Sequence, residues 1–370
     1  MKLNLEEAVS YHYGAFPPKE FDVAQVLEPM LEATDALARY DQMLKGLHNS
    51  EILLAPLRGQ EALASSRMEG TFSTLEEVLQ LQSEEGNNFD AFRSEAVETY
   101  LYARTLSFAK DSLEDGRELT SALIREMHQM LLSFGRGANK SPGHFKTEQN
   151  YVGERTSSKI SFIPVSVEHL QEGLDKLTDF FKNDDWLPLL KVALGHVEFE
   201  ALHPFKDGNG RVGRILVTLM LWRLGSISAP HFYISRYLEE YKAAYIQHLR
   251  AVSEKGDWEG WCRFFLHAVK AQADQNLKIA ESTRQLYEEM KQLFAKKLSS
   301  KYSIHALDFV FTNPVFRNSR FTKDAGIPFQ TAARFSRVLL DEGFLRVVRE
   351  PSGRRSGVYA FEPLLALVRI

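Results

Sequence analysis

Residues 203–214 read His-Pro-Phe-Lys-Asp-Gly-Asn-Gly-Arg-Val-Gly-Arg, so one imidazole, one carboxylate, three glycines and two arginines fall within a dozen positions. Successive amides around Gly208 and Gly210 can form a nest for phosphate oxygens, because glycine lets a backbone approach closely. Arg211 and Arg214 stand three apart and can share a helix face, which suits bidentate contacts to phosphate. Asp207 is a hard oxygen ligand, fit for Mg2+ bridging phosphates. His203, with an ordinary pKa of about 6.5, can take a proton near neutral pH. A solvated Gly/Asn turn with stray charges is the bland alternative. The crowding of all these groups into one short stretch argues against it.

Two elements must position them. Residues 187–202 are apolar at three- and four-residue spacing, which predicts a buried helix. His203 precedes a proline, which pushes its backbone out of the helical region and ends that helix. Residues 212–224 are apolar almost all round and predict a second buried helix. The turn 207–210 then lies at a helix N-terminus, where unpaired amides and the positive dipole end favour an anion.

The stretch fits the Fic signature HPFxDGNGRxxR at every specified position, and the chain is identified on it as resembling the Fic family. The resemblance implies a mainly α fold, a Fic-type helical bundle with a β-hairpin flap. It also implies transfer of AMP from ATP to a Ser, Thr or Tyr hydroxyl of a protein, the chain itself included. By motif position, His203 resembles the catalytic base and Asp207 the Mg2+ ligand. Gly208, Asn209 and Gly210 resemble the anion hole, Arg211 and Arg214 the phosphate-holding arginines, and Phe205 and Lys206 belong to the same ATP-binding segment. The implied cofactors are ATP and Mg2+.

Upstream, Ser65-Ser66-Arg67-Met68-Glu69-Gly70 closes a predicted helix over 57–69. Gly70 suits a left-handed cap, and Glu69 falls where the helix dipole disfavours a carboxylate. Such an acid is either solvated or has a cationic partner. Ser65-x-x-x-Glu69-Gly70 resembles the inhibitory motif of many Fic proteins, whose glutamate pairs with the second motif arginine, here Arg214. Residues 143–167 alternate aromatic and β-branched with polar residues around Gly153-Glu154-Arg155, which predicts a hairpin. It is either a structural cover or, by the resemblance, the target-binding flap, with Ile160, Ser161, Phe162 and Ile163 offering an exposed strand edge to an extended peptide and Phe162 as its clamp. The family's adenine-binding YYxxL corresponds to 245–249, so Tyr245 and Leu249 are adenine candidates, with one tyrosine replaced. His196 is expected in the core and His248 on a solvated face.

At 370 residues the chain should hold two or three domains: an N-terminal helical region 1–110, a catalytic core 111–280, and a linker helix with a small domain 281–370. Residues 1–21 predict a wrapping arm. Further helices are expected over 23–47, 92–110, 119–132, 235–252, 258–269 and 271–301, with a capping box at 73–76. In the last domain, a helix-turn-helix and two strands around 352–357 resemble a winged-helix (α+β) domain. Residues 301–370 carry eleven Lys/Arg and six Asp/Glu, so this domain could dock DNA or protein. A net charge of −4 argues against a chain that coats nucleic acid globally. The single cysteine, Cys262, excludes an internal disulfide and suits a reducing cytosol. No apolar N-terminal run or membrane-length stretch occurs, so the expected location is cytoplasmic, without membrane contact. The expected partner is a protein substrate, with a homodimer open. Two other functions stay open: a hydrolase removing AMP, and a winged-helix DNA regulator whose Fic core senses nucleotide.

Overall fold

The computed structural model describes residues 4–46, 50–84, 89–153, 159–182, 185–353 and 355–368. The chain is mainly helical. After strand β1 (Val9–Ser10) come α1 (Leu27–Lys45), α2 (Glu51–Met68), α3 (Leu75–Gln82), α4 (Ser94–Glu114) and α5 (Ser121–Leu131). Strands β2 (Val152–Gly153) and β3 (Ile160–Ile163) precede α6 (Val167–Lys182), α7 (Pro188–Leu202), α8 (Asn209–Arg223), α9 (Ser235–Glu240) and α10 (Lys242–Lys255). The 41-residue α11 (Trp258–Leu298) leads to α12 (Ser303–Thr312), β4 (Val315–Arg317), α13 (Asn318–Asp324), α14 (Phe329–Asp341), β5 (Leu345–Arg349), β6 (Val358–Phe361) and α15 (Glu362–Val368).

Two compact units share this chain. One takes residues up to 39, then 64–71 and 101–274; the other takes 40–63, 72–100 and 275 onward. The region 1–110 is therefore divided between them.

The first unit is built around α7 and α8. Every residue of α7 except Pro188 and Glu200 is buried, and so is all of α8 except Gly210 and its last two residues. That burial explains sequences that are apolar nearly all round. α7 packs on α6 and α8. The arm ahead of α1 wraps this core as expected. Tyr11 donates to Glu198 Oε1 at 2.6 Å, and His12 Nε2 lies 2.9 Å from Glu198 Oε2, which gives a buried carboxylate of α7 two partners. The same arm corrects the reading of the flap. β1 pairs parallel with β3 and β2 pairs antiparallel, in the order β1-β3-β2. β3 is thus the central strand, and Ile160, Ser161, Phe162 and Ile163 have no free edge. Among the described residues, the open edges belong to β1 and β2. Glu154 and Arg155 of the predicted turn lie outside the described residues.

The second unit carries the C-terminal sheet, order β4-β6-β5 and antiparallel throughout. Helices α13 and α14 and strands β5 and β6 stand where two helices and two strands were expected, with a third strand, β4, that sequence patterning missed. At three residues, β4 is too short to show an alternation.

Local differences have local causes. The capping box is Thr74 with Glu77, one residue later than expected. The helix predicted over 235–252 breaks at Tyr241 into α9 and α10. Those predicted over 258–269 and 271–301 are one continuous α11, because nothing in between breaks a helix.

Candidate active site

α7 ends at Leu202 as its sequence implies, but His203 takes the left-handed conformation, φ 45° and ψ 59°, rather than the extended one favoured before proline. Its amide donates to Phe199 O, so His203 serves as the helix C-cap that glycine usually provides. Its Nδ1 lies 3.3 Å from the Glu200 carbonyl. A carbonyl only accepts, so Nδ1 carries the proton and Nε2 presents its lone pair. Burial, with Lys146 adding positive charge, pushes the imidazole pKa down to about 4. The ring is therefore neutral at physiological pH, the state a base needs.

The turn closes on itself. Asn209, buried, accepts from the Phe205 amide and donates to the Phe205 carbonyl, both at 2.8 Å. Gly208 caps α8 in the left-handed region, at φ 79°. α8 starts at Asn209, three residues earlier than predicted, so Asn209, Gly210 and Arg211 form its first turn. Asp207 Oδ1 accepts from the Gly208 amide at 2.6 Å and lies 3.7 Å from Arg211 Nη2. With one oxygen so engaged, the partly exposed carboxylate keeps its other oxygen for a hard cation, which needs only one or two carboxylates when phosphates complete the shell. Among the described residues no cluster of three or more His, Cys, Asp or Glu side chains could hold a metal unaided.

The predicted pairing across 145 residues is present. Arg214 Nη2 donates to Glu69 Oε1 at 2.9 Å. Arg214 is also held by Ser65, through Nε to its hydroxyl (2.8 Å) and Nη2 to its carbonyl (2.9 Å). Burial pushes the Glu69 carboxyl up, but the Arg214 charge and hydrogen bond outweigh it, with Arg211 and Lys242 behind, and hold it below the usual range. A Cβ on Gly210 would lie 2.5 Å from Glu69 Oε1 and 2.9 Å from Arg214 Nη1. The ion pair can therefore sit against the start of α8 only because residue 210 is glycine. Gly70, at φ 75°, takes the left-handed cap expected of it, and Lys242 Nζ donates to Met68 O at 2.6 Å, satisfying an end carbonyl of α2.

The side chains of the other candidates have other surroundings. Phe205 is fully buried and stacks on His128, ring centroids 3.7 Å apart, so its side chain faces the core, while Lys206 is exposed. Tyr245 is buried and its hydroxyl is engaged by His196 Nε2 at 2.9 Å, which makes both core residues. Leu249 is half-buried on the same helix. His248 is half-buried and stacks on Phe264 rather than standing in solvent. Cys262 is buried, and burial pushes its thiol pKa up, so it is inert.

Sequence reasoning missed Glu200, one turn before His203. Its Oε1 is buried without a hydrogen-bond partner, and burial pushes the carboxyl up to about 7. Its sequence signal is weak, because Glu200 shares α7 with Lys191, His196 and Glu198; only the structure shows that it faces Gly213, where the missing Cβ leaves it room.

Residues 118–221 match the Fic/DOC family and 27–111 the Fic/DOC family N-terminal region, together just over half of the chain. The protein adenylyltransferase fic-1 of Caenorhabditis elegans is 35% identical over 105 residues, 28% of this chain and 19% of that relative. The matched part thus spans about a fifth of the nematode protein's length. The probable protein adenylyltransferase aq_aa38 of Aquifex aeolicus is 24% identical over 256 residues, 64% of this chain and 75% of the relative. A solved Fic family protein from Desulfovibrio desulfuricans superposes with a TM-score of 0.57 at 17% identity, covering 94% of this chain and 98% of its own. A Fic-1 fragment from C. elegans superposes at 0.55 and 21% identity, over 70% and 76%. These two superpositions speak for the fold alone.

Proposed function

The chain belongs to the Fic/DOC family, and from that premise we propose that it transfers AMP from ATP to a hydroxyl of a protein, itself included, and is held inactive by Glu69. The observation that carries this reading is a neutral imidazole beside a helix N-terminus whose own arginine is taken by a carboxylate. Relatives named protein adenylyltransferase support the reaction class.

In this reading the first-turn amides of α8 receive the phosphates of ATP, and Arg214 steadies the distal ones. Asp207 would hold Mg2+, which when bound offsets the charge building on the phosphates. The target oxygen bonds to the α-phosphorus while the α–β anhydride bond breaks, and pyrophosphate departs. His203 Nε2 takes the hydroxyl proton. Tyr, Ser or Thr can all supply that hydroxyl, and the open edge of β2 is where an extended target segment can pair. While Glu69 occupies Arg214, the distal phosphates lack their guanidinium, so ATP sits unproductively.

The test is incubation with ATP radiolabelled at the α-phosphate, comparing the parent with Glu69→Gly. Strong protein labelling by the variant and weak labelling by the parent is expected. Equal labelling at matched ATP and Mg2+ removes the inhibitory role, and no labelling by either removes the transferase.

A further inference from the structure

The carbonyls at the end of α7 and in the loop to α8 accept from donors supplied by residues 128–150. Lys146 Nζ donates to Leu202 O at 3.1 Å, and the Lys146 amide donates to Pro204 O at 2.8 Å. Asn150 Nδ2 donates to both His203 O, at 2.9 Å, and Phe205 O, at 3.0 Å. His128 Nε2 lies 3.0 Å from Asp207 O, and its Nδ1 accepts from the Gly143 amide at 2.9 Å, so Nε2 is the nitrogen that carries the proton. Lys146 Nζ also donates to Asn150 Oδ1 at 2.8 Å. That bond fixes which end of the Asn150 amide faces the loop.

This arrangement has a consequence for the site. A non-glycine residue in the left-handed region is strained, and persists only where its surroundings over-determine it. His203 is such a residue, and it stands before a proline. Its own carbonyl and that of Phe205, two residues on, are bridged by one amide group, which sets the curvature of the chain between them. With these carbonyls held by donors of their own, the amides at the start of α8 stay available to an anion.

We infer that Asn150, oriented by Lys146, is a positioning residue for the His203 imidazole. This inference rests on the reading of His203 as the base, and it adds that a side chain outside the signature sets where that base stands.

The test uses the full chain carrying Glu69→Gly, into which Asn150→Ala and Asn150→Asp are introduced separately. The aspartate is the discriminating variant. It fills the same volume and pairs with Lys146 at least as well, but sets a carboxylate oxygen against two carbonyl oxygens. Both variants should lower kcat for label transfer by ~10- to 100-fold, the scale of a misplacement of about 1 Å. KM for ATP should change little, because the α8 amides and Arg214 are untouched. Wild-type kcat in Asn150→Asp reduces Asn150 to a space-filler and overturns the inference. So does a rise in KM that accounts for the whole loss. Hydrogen exchange of the 203–210 amides gives a reading independent of catalysis. If the Glu69→Gly parent itself transfers no label, the transferase reading falls, and exchange decides the clamp. Faster exchange confined to that segment in both variants upholds it, and unchanged exchange rejects it.

Discussion

At the scale of single residues, burial does most of the chemistry. It keeps His203 neutral and raises the Glu200 carboxyl to about 7, within one helical turn of each other. His203→Ala should lower label transfer by ~100- to 10,000-fold, the range for losing a general base, while calorimetry still shows ATP binding. Wild-type rates in the variant would take His203 out of the reaction. Glu200 makes a separate prediction. Burial raises its carboxyl from 4.5 to about 7, with Arg214 opposing and Glu69 assisting. Between those values the folded chain keeps a proton that the unfolded chain has lost. The stability this contributes is complete below pH 4.5 and is lost as pH rises toward and through 7. Glu200→Gln cannot ionise, so it should gain on the parent by roughly 1–3 kcal/mol between those limits. Denaturant melts at several pH values check this, and a difference independent of pH would refute it.

At the scale of elements, the C-terminal end of α2 illustrates what a sequence can and cannot convey. Gly70 announced the end of the helix, and the spacing of Ser65 and Glu69 pointed to Arg214. What Ser65 does was not legible. A serine in a helix gives no sign of whether its hydroxyl and its carbonyl are both spent on a guanidinium from a distant segment. His203 was legible only in part. The proline after it signals a backbone outside the helical region, as found, but not the left-handed one, which long-range donors such as Asn150 make tenable. The two core helices were legible because burial on nearly every side writes itself into composition. The central place of β3 was not, because β1 is two residues long and lies far off in sequence. Ser65 also yields a prediction. Ser65→Ala removes the bond to Arg214 Nε but leaves the backbone one, so the hold on Arg214 weakens by about 1–2 kcal/mol. Labelling should rise by ~5- to 30-fold, less than with Glu69→Gly. A Ser65→Ala chain no more active than the parent would leave Glu69 as the whole of the restraint.

At the scale of the molecule, the question is what the C-terminal part of the second unit docks. The basic excess over 301–370 favours DNA on composition alone, yet its strand arginines are already committed. Arg317 pairs with Glu84, Arg349 lies 3.5 Å from the same residue's Oε1, and Arg346 bonds Glu76 at 2.7 Å and Glu362 at 2.6 Å. Glu76 and Glu84 come from α3 and the residue pair after it, and α3 packs on β4. Two of the three counter-charges, Glu76 and Glu84, therefore lie outside the stretch whose composition suggested DNA. Of the two arginines at the tip between β5 and β6, Arg355 is exposed and Arg354 lies outside the described residues. Each phosphate contact needs a cation free to release counterions, and a guanidinium bonded to two carboxylates is not free. The full chain should give no retarded band with genomic fragments at low salt. Glu76→Ala with Glu84→Ala should release Arg317 and Arg349, while Arg346 keeps Glu362, and produce binding that falls steeply with salt, the logarithmic slope steepening by about one for each phosphate neutralised. The same double variant should lose ~1–3 kcal/mol of stability, because the Arg317–Glu84 pair is largely withdrawn from solvent. If the unaltered chain instead binds DNA with a steep salt slope, these arginines exchange their carboxylates for phosphate and the domain is a DNA reader. If neither form binds, the domain is left for protein.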